Sequence, residues 1–391
     1  MRTKIKYYFL FFLVAAGRKL YRIARYHYIG CENELLAQKF ISRNGKKQLP
    51  FPQDALKDYH NRWKSLGKKV SDVYLKNTFR YSGKVDMDIV PSDIYFSVIE
   101  PALNNRSYAI SYEDKARIDW INGTKHVPTI FVRNINGAYY HSNQQVISKD
   151  QINLSKHLKG EQSVIVKKSI EVHGGSGIMV FDRDREGNFC SDTGDVLSLD
   201  FLENVYKQDF IIQKYVDQHE FYKKFNPTSL NTLRVLTYRS VKDNQIHVIY
   251  SYLRIGGVGS RVDNVKQGGI AVCLKPDGYL VDFGLGDTPE KVYSVDGLPP
   301  FSQMERFYKI DEIWETAKEI AAKQLYCRLV GFDMAVDASG KILHIETNTS
   351  DIGMEGDQYV IGPLFHRFTS EIIEYCKEKV KEVPLYKLHD S

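Results

Sequence analysis

The sequence predicts an α+β protein led by a helical segment, and three stretches carry that prediction. Leu329 to Asn348, LVGFDMAVDASGKILHIETN, reads as two β-strands joined by a short polar turn. Ser163 to Phe181 holds two more strands around the Gly-rich run His173-Gly174-Gly175-Ser176-Gly177. Residues 31 to 100 read instead as mainly helical, with mixed charge and few strand signals. Hairpins in one part of a chain and helices in another are the mark of this class.

At 391 residues the chain is long enough for two or three packed domains. Its 43% hydrophobic and 26% charged residues exclude large disordered regions. The five cysteines, Cys31, Cys190, Cys273, Cys327 and Cys376, are scattered without a CxxC pair. That argues against a zinc site or disulfide framework and fits a reducing compartment. Residues 1 to 30 carry seven basic residues (Arg2, Lys4, Lys6, Arg18, Lys19, Arg22, Arg25) and no acid. The remainder has 47 basic against 48 acidic residues, so the body of the chain lacks the basic signature of a nucleic-acid partner.

Tyr7 to Ala16 is a run of ten apolar residues between basic clusters. A helix needs about 20 such residues to span a bilayer. A basic start, a short apolar core and Ala15-Ala16-Gly17 also outline a secretory signal. The unpaired cysteines favour a cytoplasmic protein with this helix lying on the inner face of the membrane, its Lys and Arg meeting anionic headgroups. Docking on the protein's own body is the alternative.

Further along, Tyr95 to Ala102 starts a helix, Tyr108 to Ile110 is a short strand, and Asp114-Lys115 opens a helix through Trp120. Val127 to Val132 is a strand, and Asn136-Gly137 turns into a second at Ala138 to Tyr140. Residues 148 to 159 suggest a helix. Ser163 to Lys168 is a buried-type strand ending in Lys167-Lys168, and the Gly-rich hairpin follows. Glycines let backbone N–H groups approach phosphate oxygens, and a lysine adds a point charge. No helix follows the loop, so this is neither a Walker A loop nor a Rossmann fingerprint. Asp209 to Val216 is an apolar strand that turns polar, a backbone able to pair with a base edge. On the strand from Asn231 to Tyr238, Arg234 is a costly residue without an anion to meet. His247 to Leu253 is another strand, ending at Arg254. Residues 310 to 326 form an amphipathic helix, and 362 to 380 a closing one.

The hairpin at 329–348 carries the chemistry. A four-residue turn, Asp337 to Gly340, sets Val336 against Lys341 and Asp333 against His344. Asp333, His344, Glu346 and Asn348 then share one face. Such an oxygen-rich, net-negative cluster suits Mg²⁺, especially Mg²⁺ shared with phosphates.

These motifs resemble, in order, those of the sugar-transfer-associated ATP-grasp proteins. The resemblance rests on Asp114-Lys115, VIVKK with HGGSG, NTLRVLTYRS, the run with Asp263, Asn264, Gln267, Gly268 and Gly269, GFDMAVD and HIETNTS, over roughly 93 to 375. It implies an ATP-grasp fold, two α+β subdomains gripping ATP. The division is a basic, apolar helix at 1–30, a helical segment at 31–92, the ATP-grasp domain at 93–375 with a lid at about 145–215, and a tail at 376–391. By this resemblance Lys115 and Lys167 meet the ATP phosphates, and His173, Gly174, Gly175, Ser176 and Gly177 form the lid over them. Gln213, Lys214, Tyr215 and Val216 form the adenine hinge, with Glu220 near the ribose. Asp333, Glu346 and Asn348 hold Mg²⁺. Arg234 faces the transferred γ-phosphoryl group or an acyl phosphate, while Arg254, Arg261 and Asn264 hold an acceptor or its carboxylate. His344 packs beside the metal face. Lys168 where the family has Pro, His173 where Gly is common, and Gln213 where Glu is common are departures.

The implied activity is an ATP- and Mg²⁺-dependent ligase that activates a carboxylate as an acyl phosphate for an amine. A cell-surface glycan precursor bearing a sugar or amino acid is the expected acceptor. A sugar kinase of the same fold and a non-catalytic, nucleotide-binding partner of glycosyltransferases are the rival readings.

Overall fold

The computed structural model describes residues 2–42, 50–66, 70–170, 177–257, 259, 268–286, 288, 290–353 and 355–382. Two seven-stranded antiparallel sheets organise it, in keeping with the α+β class. The first comprises β1 (Ile130–Ile135), β2 (Ala138–His141), β3 (Val146–Ile147), β4 (Ser163–Lys168), β5 (Ile178–Arg183), β6 (Phe189–Ser191) and β7 (Phe210–Lys214). Its order is β3-β2-β1-β7-β4-β5-β6, so the sheet that contains β4 and β7 starts at Ile130. The second comprises β8 (Thr232–Arg239), β9 (Ile246–Ile255), β10 (Ile270–Cys273), β11 (Gly284–Leu285), β12 (Lys291–Val292), β13 (Leu329–Val336) and β14 (Ile342–Asn348). Its order is β12-β11-β10-β9-β8-β13-β14.

Alternation of side chains gives each sheet two faces. In the first, Val164, Val166, Phe210 and Ile212 pack with Leu202 and Tyr206 of the helix Leu199–Tyr206. On its other face Ile130 and Ile211 meet Ala116, Ile118 and Val127. In the second sheet, Leu233, Val235, Leu253, Phe332 and Met334 bury against Ile310, Ile313, Ala317 and Ile320 of the helix Ile310–Ala321. Those helix positions recur at the three- and four-residue spacing of an apolar stripe.

The opposite face of the second sheet is covered by the leading helical segment. Leu236, Tyr238, Tyr250 and Leu329 form one core with Tyr59, Trp63, Leu66, Ile94, Val98, Ile372 and Cys376. Residues 54–103 are therefore a structural layer of the second sheet. They stop short of β13's C-terminal half, where the same sheet face becomes charged.

The helix Arg2–Ser42 has 41 residues, about 60 Å at 1.5 Å per residue. Among the described residues it joins the body in its C-terminal part, where Ala37 is buried with Val73 and Tyr74. There Asn77 Nδ2 donates to the Ala37 carbonyl (3.2 Å) and Ser71 Oγ to Glu34 (2.8 Å). Every described residue from Leu10 to Tyr21 is exposed. Among the described residues no helix is long and apolar enough to cross a membrane.

Three expected elements differ. Tyr108 to Ile110 is helical, because Asn105 caps the turn Arg106–Ala109 through the Ser107 N–H, and Ile110–Tyr112 continues it. Residues 148–159 form only the short turns Lys149–Gln151 and Leu154–His157. Ser148 and Asn153 each start a new N-terminus, which breaks the run. The helix at the C-terminal end is Thr369–Glu382, preceded by the separate helix Glu355–Ile361.

The hairpin corrects its expected register. Val336 pairs with Ile342, so the turn has five residues, 337–341, with Gly340 at φ +83. That parity alone would send Asp333 and Glu346 to opposite faces. A bulge at Ile345 restores it, and Asp333 pairs with Glu346 and Gly331 with Asn348. His344 pairs with Met334 instead and points into the core, edge-on to Phe332 with ring centroids 5.4 Å apart. It is not on the carboxylate face. Burial lowers its pKa to about 4, so it sits there neutral.

Trp63 is fully buried beneath the second sheet. Trp63→Ala should cost about 3–5 kcal/mol, measured by urea unfolding, while Leu35→Ala on the exposed side of the long helix should leave stability within about 0.5 kcal/mol.

Candidate active site at the open end of the second sheet

Cross-strand pairing aligns the charged residues. Asp333 lies between Glu346 on β14 and Arg234 on β8, and Arg234 pairs with Tyr252 on β9. Arg254 is opposite Thr232 and two residues from Tyr252, so its side chain shares their face. Gly331 leaves room for the arginine: a Cβ there would meet Arg234 Cδ at 3.4 Å.

Arg234 Nε donates to Asp333 Oδ1 (2.5 Å), and Arg234 Nη2 to Asp333 Oδ2 (2.8 Å). Arg254 Nη1 also donates to Asp333 Oδ2, at 2.7 Å. Lys115 Nζ sits 3.0 Å from Glu346 Oε1. Burial pushes the Asp333 carboxyl up, but the charges of Arg234 and then Arg254 outweigh it and hold the group well below the usual carboxylate range. Burial likewise works against the Arg234 guanidinium, and the Asp333 charge raises its pKa above the ordinary value.

Among the described residues the cluster holds three cations and two carboxylates, a net positive set, not net negative as the hairpin alone predicts, because Lys115, Arg234 and Arg254 come from segments far away in sequence. An excess of convergent guanidinium and ammonium groups suits a phosphate.

The oxygen donors for a divalent cation are also present. A carboxylate has about four lone-pair sites, and three of Asp333's accept from arginine. The Glu346 side chain is 31% exposed against 3% for Asp333, so Glu346 is the more accessible. Asn348 Nδ2 leans on the Gly331 carbonyl at 3.4 Å, leaving the amide oxygen for another partner. Among the described residues no group of three or more His, Cys, Asp or Glu gathers for a metal. Two carboxylates and an amide fit Mg²⁺ only where phosphates or water complete the shell.

Lys115 is placed by its own backbone. Asp114 caps the turn Lys115–Arg117 through the Ala116 N–H, and the Lys115 N–H donates to the Ser169 carbonyl (3.1 Å) just past β4. Glu113, two residues earlier, went unread in the sequence. Its Oε1 accepts from the Thr349 N–H (2.7 Å), Thr349 Oγ1 (2.8 Å), the Ser350 N–H (3.0 Å) and Ser350 Oγ (3.0 Å). Its partners lie about 236 residues downstream, beyond any local pattern. Residues 113–115 therefore tie the end of β14 to the end of β4.

Lys167 is buried on β4 opposite Ile211, on the face that the 115–127 segment covers. Gln213 shares that face, and its Nε2 donates to the Pro128 carbonyl (3.1 Å). Lys214 ends β7 with its ammonium 3.6 Å from Glu161. Tyr215 and Val216 are half-buried, and Glu220 is exposed at the start of the short helix Glu220–Lys223. Gly177 is described, with φ +70. His173, Gly174, Gly175, Ser176, Arg261 and Asn264 lie outside the described residues.

The profile of the family described as sugar-transfer associated ATP-grasp matches residues 97–371. No curated protein gives a match. Solved structures similar to this chain include N5-carboxyaminoimidazole ribonucleotide synthetase from Thermotoga maritima, at 12% identity and TM-score 0.36 over 67% of this chain and 49% of that one. Another is biotin carboxylase from Campylobacter jejuni, at 14% and 0.39 over 69% and 47%. A third is D-alanyl-alanine synthetase A from Vibrio cholerae, at 10% and 0.37 over 71% and 67%. This chain spans about half the length of the first two.

Glu113→Ala should lower stability by about 2 kcal/mol, the order expected for hydrogen bonds to a half-buried charge, read by urea unfolding. Glu113→Gln keeps an acceptor oxygen and should lose less than half as much.

Proposed function

We propose that this chain, which belongs to the sugar-transfer-associated ATP-grasp family, is an ATP-dependent ligase that joins a carboxylate to an amine. The observation that carries the reading is the convergence of Arg234, Arg254 and Lys115 on Asp333 and Glu346 at one end of a sheet. The ATP-grasp fold itself follows from the family.

Lys115 and Lys167 would bind the triphosphate, and Arg234 would hold the γ-phosphoryl group. These residues neutralise and position, which is most of what phosphoryl transfer requires of a protein. Mg²⁺, held by Glu346, Asn348 and the remaining site on Asp333, would supply charge neutralisation between phosphates. A carboxylate oxygen of the substrate attacks the γ-phosphorus and ADP departs. An amine then attacks the acyl carbon of the resulting acyl phosphate, and phosphate departs with the amine's proton lost to water. Arg254, beside Arg234, would orient the carboxylate. Gln213 to Val216 would meet the adenine with main-chain groups, and Glu220 would serve the ribose. The acceptor class is a sugar- or amino-acid-bearing precursor of a cell-surface glycan, met on the cytoplasmic side where ATP is available. The described free cysteines suit that compartment.

The test is turnover of ATP and Mg²⁺ with paired carboxylate and amine candidates, followed by product mass. ADP, free phosphate and an amide are expected. A phosphorylated hydroxyl would make the protein a kinase, and ATP binding without ADP release would make it a non-catalytic partner. Glu346→Gln should reduce turnover about 100-fold or more, with its fold confirmed by circular dichroism. Near wild-type turnover in this variant would remove Glu346 from the metal set.

A further inference from the structure

We propose that the N-terminal helix docks flat on a membrane surface rich in anionic lipid. Its apolar residues stand in solvent: Phe11 is 56% exposed, Phe12 69% and Leu20 68%. Leu10, Leu13, Val14 and Tyr21 are exposed with them. A helix apolar on all sides is normally buried, and a contiguous exposed apolar patch of this kind marks an interaction surface. Among the described residues the body gives Leu10 to Tyr21 no cover, and the helix packs on the rest of the chain over its C-terminal part, which includes Ala37.

Charge selects the occupant. The first 30 residues hold seven basic side chains and no acid, whereas the rest of the chain is balanced. A second copy is disfavoured, since pairing two such helices opposes seven cations to seven in either orientation. Anionic headgroups answer that charge, at about 1 kcal/mol per basic residue near the surface.

Placement of the charges selects the geometry. Arg2, Lys4 and Lys6 precede the apolar run, and Arg18, Lys19, Arg22 and Arg25 follow it. The run of ten residues is about 15 Å long, half the hydrocarbon thickness. Both basic ends must therefore stay at one headgroup layer. The helix lies in the interface with Phe11, Phe12 and Leu13 sunk among the acyl chains and the long basic side chains reaching outward. Its root is tied to the sheet domain, for Asn77 Nδ2 donates both to the Ala37 carbonyl and to Tyr359 Oη (3.3 Å). A docked helix thereby holds the second sheet in a set relation to the bilayer.

The full chain should be sedimented with phosphatidylcholine vesicles, with and without phosphatidylglycerol, in the absence of nucleotide. Binding is expected only with phosphatidylglycerol, and it should weaken as salt rises. The triple variant Arg18→Gln, Arg22→Gln, Arg25→Gln should bind about 100-fold more weakly, and Phe11→Ser with Phe12→Ser should abolish binding. Both variants should keep the wild-type melting temperature and nucleotide affinity. Three results would each overturn the proposal. One is absence of binding to phosphatidylglycerol vesicles, and another is equal binding to pure phosphatidylcholine. The third is a self-associated chain in solution that the Phe11 and Phe12 substitutions dissociate. The experiment requires no ATP turnover, so its failure is separate from failure of the ligase reading.

Discussion

The second sheet turns on Asp333, a buried carboxylate gripped by two arginines from two neighbouring strands. Desolvating three charged groups costs several kcal/mol per ion, and a well-packed apolar set would often be as stable. Loss of either partner would leave a buried charge uncompensated. The arrangement is therefore a poor device for stability and a good one for holding guanidinium groups still. Arg234 and Arg254 are locked by the same carboxylate, which limits their rotamers before any ligand arrives. Preorganised cations of this kind suit charge that develops during a reaction.

The hairpin that carries Asp333 is also where the two sheets are joined. The chain passes between the sheets once, after β7, and that passage and the entry into β1 both dock on this hairpin. On the way from the second sheet's helical layer to β1, the His126 carbonyl accepts from the His344 N–H, and His126 Nδ1 lies 3.0 Å from the Ile342 carbonyl. On the way back from β7, the His219 N–H donates to the Val336 carbonyl (2.8 Å), and the Ala338 N–H donates to the Asp217 carbonyl (2.7 Å). Glu113 adds a third tether to the loop after Asn348. Lys115, bonded through its backbone to Ser169 and through its ammonium to Glu346, links the cluster to the end of β4 as well.

Local chemistry made part of this legible in sequence. The strand Ser163–Lys168 could be read to the residue because an apolar run ends abruptly in two lysines and a Gly-rich loop. Arg234 was legible because a charged residue on an apolar strand is costly wherever it sits. The shared face of Asp333, Glu346 and Asn348 is the one the sequence predicts, because two departures from the expected hairpin cancel. The turn is one residue longer than expected, and Ile345 bulges to restore the parity. His344, on the near side of that bulge, kept the uncorrected register and went to the core. Bulges leave no composition signal when the extra residue is an ordinary Ile, so this could not be read. Glu113 and the layer around Trp63 were illegible for another reason. Their partners are distant in sequence, and neither spacing nor charge at the site itself points to them.

The sign of the cluster's charge bears on the order in which ligands would arrive under the ligase reading. With Lys115 on Glu346 and two arginines on Asp333, an approaching bare cation meets a net positive set among the described residues and carboxylate oxygens already engaged. An approaching triphosphate meets the reverse. It can draw Lys115 and the guanidinium groups toward its own oxygens, and each ammonium or guanidinium so recruited returns a lone pair to Glu346 or Asp333. Asp333 and Glu346 would be able to hold Mg²⁺ to the extent that phosphate takes over their cations. The ion would then rest on the nucleotide as much as on the protein, in keeping with an ion that sheds water reluctantly and keeps few protein ligands. On this account the salt bridges around Asp333 and Glu346 are the resting state of a site whose ionic partners exchange on binding, and their density reflects that exchange more than the needs of folding.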